Sequence, residues 1–307
     1  MTTLDDALAL PVSFDARYGA GHRRALVLGG GGVVFVAWLT AYLSELARRG
    51  VAVEAADRVV GTSAGSVLAA AVAHHRLSRF ERLVRVLEDR PALIRRLAPA
   101  GTLAPSQQRA SLLFAGARDA EPDTIRAIGA AALAAMTPSP DVLPAALLLM
   151  LQTWRWPTGD LVVSAADTYS GERLAVTKTA GVPLLRAVAA SSSVPGLFAP
   201  QRLGDRRAMD GGVSGSGIHA DLAAGAERAL VFPIADSLAE AMYTIQPDAT
   251  DQEVRALRAS GTNVEVRWTR LPPTTNLMDP AEVPAALALG AEQGAEDADG
   301  LRDFWIG

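Results

Sequence analysis

The chain has 307 residues, half of them apolar and a fifth charged, with 29 basic against 33 acidic side chains and a formal charge of −4. That length supplies a sizeable core without staples, and the charge balance argues against nucleic acid as a partner. The absence of cysteine excludes disulfide frameworks, thiolate metal sites and cysteine nucleophiles, leaving oxygen and nitrogen groups for any chemistry. Asp5 and Asp6 precede any apolar stretch and no basic start leads into a hydrophobic run, so no secretory signal is expected. The expected location is the cytoplasm, with peripheral membrane contact left open.

Ala25 to Leu28 is an apolar strand running into Gly29 to Gly32, after which Leu39, Tyr42, Leu43 and Leu46 follow helical spacing to a stop near Gly50. A second strand, turn and helix follows: Arg58 to Val60, then Gly61-Thr62-Ser63-Ala64-Gly65, then Val67 to His74. Two such units in succession predict a parallel α/β sheet with right-handed crossovers. From Leu77 to about Trp156 the pattern is helical only, broken at Pro91, Pro99, Pro105, Pro122 and Pro138 to Pro144. Arg76, Arg79, Arg82 and Arg85 form a row on one helix face, read first as a solvated face rather than a lipid contact.

Val142 to Leu151 is the longest apolar run, too short at ten residues to span a bilayer. With Trp154 and Trp156 it is a lid or interfacial helix, or, as the favoured reading, a buried core helix. Strands are expected again at Leu161 to Ser164, Leu174 to Val176, within Phe198 to Met209, and at Arg228 to Phe232. The last third predicts a helix over Asp251 to Ala259, a strand over Val264 to Trp268, an Ala-rich helix, and an exposed acidic tail from Glu292 to Asp299. The organisation expected is one domain over residues 1–307: a core at about 24–235, a helical insertion at about 77–157 and a C-terminal α/β extension at about 236–307.

Gly61 to Gly65 has the G-x-S-x-G form that exposes a serine hydroxyl on a sharp strand-to-helix turn. The following helix N-terminus places the Ala64 N–H and a positive dipole end beside that oxygen. The Gly29 to Gly32 run has three readings: a tight turn, a phosphate cradle or an oxyanion hole. A dinucleotide loop would need glycine where Phe35 stands. A Walker loop fails as well, because Lys178 is the only lysine. A base for Ser63 is sought among His22, His74, His75 and His219, or in Asp210 of Asp210-Gly211-Gly212. In triad order His219 follows Asp205 or Asp210, whereas His74 and His75 read as the polar end of a helix and His22 as a surface residue.

Taken together, in this order, the three elements resemble the patatin-like phospholipase family. Its glycine loop matches Gly29 to Gly32, its serine elbow Gly61 to Gly65, and its D-G-G element Asp210 to Gly212. The stretch Ala190 to Pro200 is similar to the one leading into that family's aspartate, and Ala37-Trp38 echoes a bacterial branch. The likeness covers about Arg24 to Phe232.

The resemblance implies a three-layer α/β/α fold with a mainly parallel central sheet and an inserted helical region. It also implies a Ser63–Asp210 dyad, with Ser63 as nucleophile and Asp210 taking its proton. Gly30, Gly31, Gly32 and Ala64 would form the oxyanion hole, Gly61, Thr62 and Gly65 the elbow, and Gly211 and Gly212 the dyad turn. Partial burial is expected to raise the aspartate's pKa. The implied substrate is an acyl lipid or other carboxylic ester, with no cofactor and no metal.

Two departures from the pattern stand out. Phe35 replaces a glycine, which would strain the loop if that position needs positive φ. His219 stands where the bacterial branch more often has Asn and is expected to cap a helix near Asp221. The leading reading is a serine acyl hydrolase acting on lipid esters. The alternatives are a catalytically weakened lipid-binding or protein-interaction member, and a histidine-dependent esterase in which His219 is the base.

Overall fold

The computed structural model describes residues 9–95, 102–235, 238 and 248–306. Asp5, Asp6 and the break at Pro99 lie outside them. In chain order the elements are β1 (Arg24–Leu28), α1 (Gly32–Arg48), β2 (Arg58–Gly61), α2 (Ala64–Ala73), α3 (Leu77–Glu88), α4 (Pro91–Ile94), α5 (Pro105–Ala115), α6 (Pro122–Ala134) and α7 (Val142–Leu151). They continue with β3 (Asp160–Asp167), β4 (Arg173–Val176), α8 (Leu184–Ser191), β5 (Gln201–Leu203), β6 (Arg206–Asp210), β7 (Arg228–Phe232), α9 (Ala249–Ala259), β8 (Asn263–Val266) and α10 (Val283–Ile306). Pro91, Pro105 and Pro122 each open a helix, where a missing N–H costs nothing.

Among the described residues eight strands form one mixed sheet ordered β5-β6-β3-β2-β1-β7-β8, with β4 also paired to β3. Pairs among β3, β2, β1, β7 and β8 are parallel, and those involving β4, β5 and β6 are antiparallel. Alternation along β1 splits the interior in two. Leu26 and Leu28 join the larger core with α1, α2, α8 and α10, while Ala25 and Val27 join a second core with α9 and the turn at Ala220–Ala223. Both faces are therefore covered, giving the three-layer α/β/α arrangement.

The strand β3 decides where the site forms. Its first half pairs with β2, Val163 opposite Gly61, and its second half runs past the end of β2 to pair with β6, Ala165 opposite Asp210. Asp210 thus lies two residues beyond the level of Gly61, about 7 Å along the strand direction. Ser63 leaves β2 by the same two residues. Strand register alone brings two positions far apart in sequence to one end of the sheet.

The C-terminal part departs from expectation. The residues Glu292 to Asp299 form no exposed tail but the middle of α10, a 24-residue helix lying on α1. Gly290 and Gly294 let its backbone approach the carbonyls of Trp38 and Tyr42, and the Tyr42 hydroxyl donates to Asp297 Oδ2 at 2.5 Å. The strand expected over Val264 to Trp268 is Asn263–Val266.

The helix α7 is neither wholly buried nor wholly exposed. Leu143, Leu147 and Leu151 face the core, whereas Leu149 is 66% exposed, with Leu148 and Trp154 also open to solvent. Arg79 and Arg82 are exposed, as the solvated-face reading has it, but Arg79 bonds Gln152 and Arg85 pairs with Glu81 at 3.1 Å. Among the described residues no helix is long and apolar enough to cross a membrane.

Candidate active site

Ser63 is the N-cap of α2 and has φ 50° and ψ −121°, a conformation that a non-glycine residue holds only when its surroundings impose it. Hydrogen bonds to Ser63 and to its neighbour Thr62 impose it. Ser191 Oγ accepts from Ser63 N–H at 2.8 Å, while Ser66 Oγ and Ser192 Oγ donate to the Ser63 carbonyl at 2.7 and 3.2 Å. Thr62 N–H is fixed on the Leu28 carbonyl at 3.0 Å, and Thr62 Oγ1 lies 2.7 Å from Ser164 Oγ. A Cβ on Gly65 would overlap the carbonyls of Leu28 and Gly29. The elbow thus packs on the end of β1 as closely as backbone allows.

Asp210 ends β6 and is wholly buried. Its backbone N–H donates to the Ser193 carbonyl at 3.0 Å and its Oδ1 accepts from Gly212 N–H at 2.8 Å. Burial pushes its carboxyl up to about 7, against the opposing pull of the Ser63 hydroxyl and the Gly212 N–H. The Ser63 hydroxyl faces this carboxylate, yet Oδ2 has no hydrogen bond of ordinary geometry.

Ser191, which ends α8, and Ser192 and Ser193 just beyond it have no role assigned by the sequence. Ser191 and Ser192 hold the Ser63 backbone and the Ser193 carbonyl holds Asp210, so three consecutive residues tie both halves of the pair together. The only sequence signal was their place in the family-like stretch Ala190 to Pro200.

The glycine loop needs two corrections. Gly30 N–H donates to the Gly217 carbonyl at 3.1 Å, so it is spent on structure and does not contribute to an oxyanion hole. The amides of Gly31, Gly32 and Ala64 have no acceptor among the described residues. They belong to the N-terminal ends of α1 and α2, where unpaired N–H groups and the positive dipole end coincide. Phe35 needs no positive φ. It sits inside α1, buried and stacked on Trp38 at 5.7 Å between ring centres, and Gly32 takes the left-handed conformation at φ 66°. The strain expected from Phe35 is absent, and with it the motive for a weakened site.

The histidines stand elsewhere. His74 ends α2 and bonds the Arg155 carbonyl at 2.9 Å. His22, expected at the surface, is half-buried with Nε2 3.1 Å from Asp160. His219 precedes the turn at Ala220–Ala223 but makes no side-chain cap; its Nε2 lies 2.9 Å from the Gly211 carbonyl. That bond commits the nitrogen a triad base would need.

Ser63, Ala64 and Gly32 open onto a cavity of about 80 Å³ whose walls are almost entirely apolar. Val84, Leu87 and Ile94 come from the helical region, Leu143, Leu147 and Met150 from α7, and Met278 and Val283 from the C-terminal part. Among the described residues no cluster of three or more His, Asp or Glu side chains is arranged to hold a metal ion.

The fold is of the three-layer α/β/α class, with a serine on a strained strand-to-helix turn at one end of the sheet and an apolar cavity in front of it. The chain belongs to the patatin-like phospholipase family, whose model matches residues 26–223. Among solved structures it is similar to VipD from Legionella pneumophila, with 14% identity and a TM-score of 0.41 over 96% of this chain and 70% of that one. It is also similar to the type III effector protein ExoU, with 17% identity and a TM-score of 0.37 over 91% of this chain. The present chain spans 53% of the ExoU chain. No curated protein matches the sequence.

Proposed function

We propose that this family member is a serine acyl hydrolase of lipid esters working through a Ser63–Asp210 dyad. The observation that carries the reading is a buried carboxylate held near neutrality beside a strained serine that opens onto an apolar cavity. Asp210 takes the hydroxyl proton as Ser63 Oγ attacks the ester carbonyl carbon. The amides of Gly31, Gly32 and Ala64 receive the negative charge on the carbonyl oxygen. Collapse breaks the bond to the leaving alcohol, which departs with the proton from Asp210. Water then attacks the acyl-serine, gives its proton to Asp210, and the acid leaves as Ser63 recovers that proton.

A fluorophosphonate ester probe tests the nucleophile. The folded wild type is labelled at Ser63 and Ser63→Ala is not. Absence of labelling on folded wild type would favour the lipid-binding reading instead. Because Asp210 must be ionised to act, kcat/KM on a soluble ester rises with pH through about 7.

The apolar walls fit an acyl chain, and the outer face of α7 fits peripheral contact with a lipid surface. Leu148, Leu149 and Trp154 are exposed on the segment whose inner face lines the cavity, so the same element would meet the bilayer and border the entry. Charging both leucines, Leu148→Asp with Leu149→Asp, is expected to weaken vesicle binding at least about tenfold, from the loss of apolar contact. Labelling by the soluble probe should persist. Unchanged vesicle sedimentation in the folded variant removes the interfacial role.

A further inference from the structure

The peptide unit joining Gly211 and Gly212 is engaged at both ends. Its N–H, on Gly212, donates to Asp210 Oδ1 at 2.8 Å. Its carbonyl, on Gly211, accepts from Ser214 Oγ at 2.9 Å and meets His219 Nε2 at 2.9 Å. A carbonyl only accepts, so Nε2 carries the proton and Nδ1 is an acceptor. Nδ1 lies 3.4 Å from Arg173 Nη1, and Arg173 grips both oxygens of Asp221 at 2.7 Å. All three side chains are buried. Burial, with the Arg173 charge adding to it, pushes His219 down to about 4, so the ring is neutral at neutral pH.

The remaining acid against this cluster is Glu253 of α9. It accepts from Ser216 Oγ at 2.6 Å and from Ala220 N–H at 2.9 Å, and burial raises its carboxyl. No charged side chain is among the groups that shift Asp210. Burial raises its carboxyl, and the Ser63 hydroxyl and the Gly212 N–H pull against that rise.

The geometry points to His219 as a positioning residue that, held by the Arg173–Asp221 pair, orients and polarises the Gly211–Gly212 peptide and through it fixes Asp210 against Ser63. The inference rests on the dyad reading above. Donation into a carbonyl makes the N–H of the same peptide a stronger donor, because linked hydrogen bonds polarise one another. A stronger Gly212 N–H favours the ionised carboxylate. Without His219, Asp210 should hold its proton to higher pH and act as a base over a narrower range. A residue that merely filled space would leave that titration alone.

Two variants separate the possibilities. His219→Leu keeps the bulk and removes the donor, whereas His219→Gln returns an amide N–H at a reach close to that of Nε2. In His219→Leu the acidic limb of kcat/KM is expected about half to one pH unit higher, with a loss of about 3- to 10-fold at pH 6.5 and little change in KM. His219→Gln should lie within about twofold of wild type. The carboxyl ¹³C titration of Asp210, followed in a Ser63→Ala background, should move in the same direction without any turnover.

An acidic limb or titration unmoved in His219→Leu, or moved equally in both variants, overturns the inference. If His219→Leu does not fold, Ser214→Ala removes the other donor to the same carbonyl, and an unmoved titration there overturns it likewise. Failure of wild type to react with the fluorophosphonate would instead strike the dyad reading, while the ¹³C titration still decides the role of His219.

Discussion

Asp210→Asn is expected to lower kcat/KM on a soluble ester by about 10³- to 10⁴-fold while leaving the protein folded, since a positioned base contributes rate factors of that order. Asn keeps the shape and the acceptor for Gly212 N–H but takes no proton from Ser63. Ser63→Ala should cost at least as much, and the double variant no more than the worse single one, because the two groups act as a unit. Additive losses would mean that they work independently.

The same substitution has a stability consequence of opposite sign. Burial lifts the Asp210 carboxyl from 3.8 to about 7, so the folded state binds a proton that the unfolded state releases between those values. Wild-type stability therefore falls as pH rises through this window, by roughly 4 kcal/mol when complete. Asn carries no charge and escapes the penalty. Thermal unfolding should show Asp210→Asn gaining on wild type from pH 5 to pH 8, and a variant that loses ground over that range would contradict the buried, uncompensated carboxylate.

The second large effect is expected at Gly65. Its added Cβ in Gly65→Ala would overlap the carbonyls of Leu28 and Gly29. Neither can retreat, because β1 is paired on both sides, to β2 and β7, and the Leu28 carbonyl already holds Thr62 N–H. A loss of about 3–5 kcal/mol is expected, in the range of core overpacking and broken close contacts. Any folded fraction would have Ser63 displaced by about 1 Å and label at least about 100-fold more slowly. Gly159→Ala is the control: nothing lies near its added carbon and its backbone is not left-handed, so unfolding should shift by less than about 0.5 kcal/mol. Equal unfolding midpoints for the two variants would show that the elbow is not packed as described.

The sequence by itself determined the strand-turn-helix repeats, because alternation and helical spacing are local patterns. It pointed to Ser63 and Asp210 as a pair only through the resemblance to the patatin-like family, because a glycine-flanked serine and an Asp-Gly-Gly are each, by themselves, no more than turn signals. What only the tertiary structure decided involves partners far along the chain. Gly217 takes the Gly30 amide from far along the chain, and Phe35 escapes strain because α1 begins at Gly32. The enclosure of the cavity by Met278 and Val283 and the docking of α10 along α1 left no local pattern to read, and the bonds of the Ser191 to Ser193 seam left only its place in the family-like stretch Ala190 to Pro200. The physical reason is that hydrogen-bond satisfaction and burial are properties of pairs. Strand register in β3, fixed by its neighbours on the sheet, chooses which pairs form.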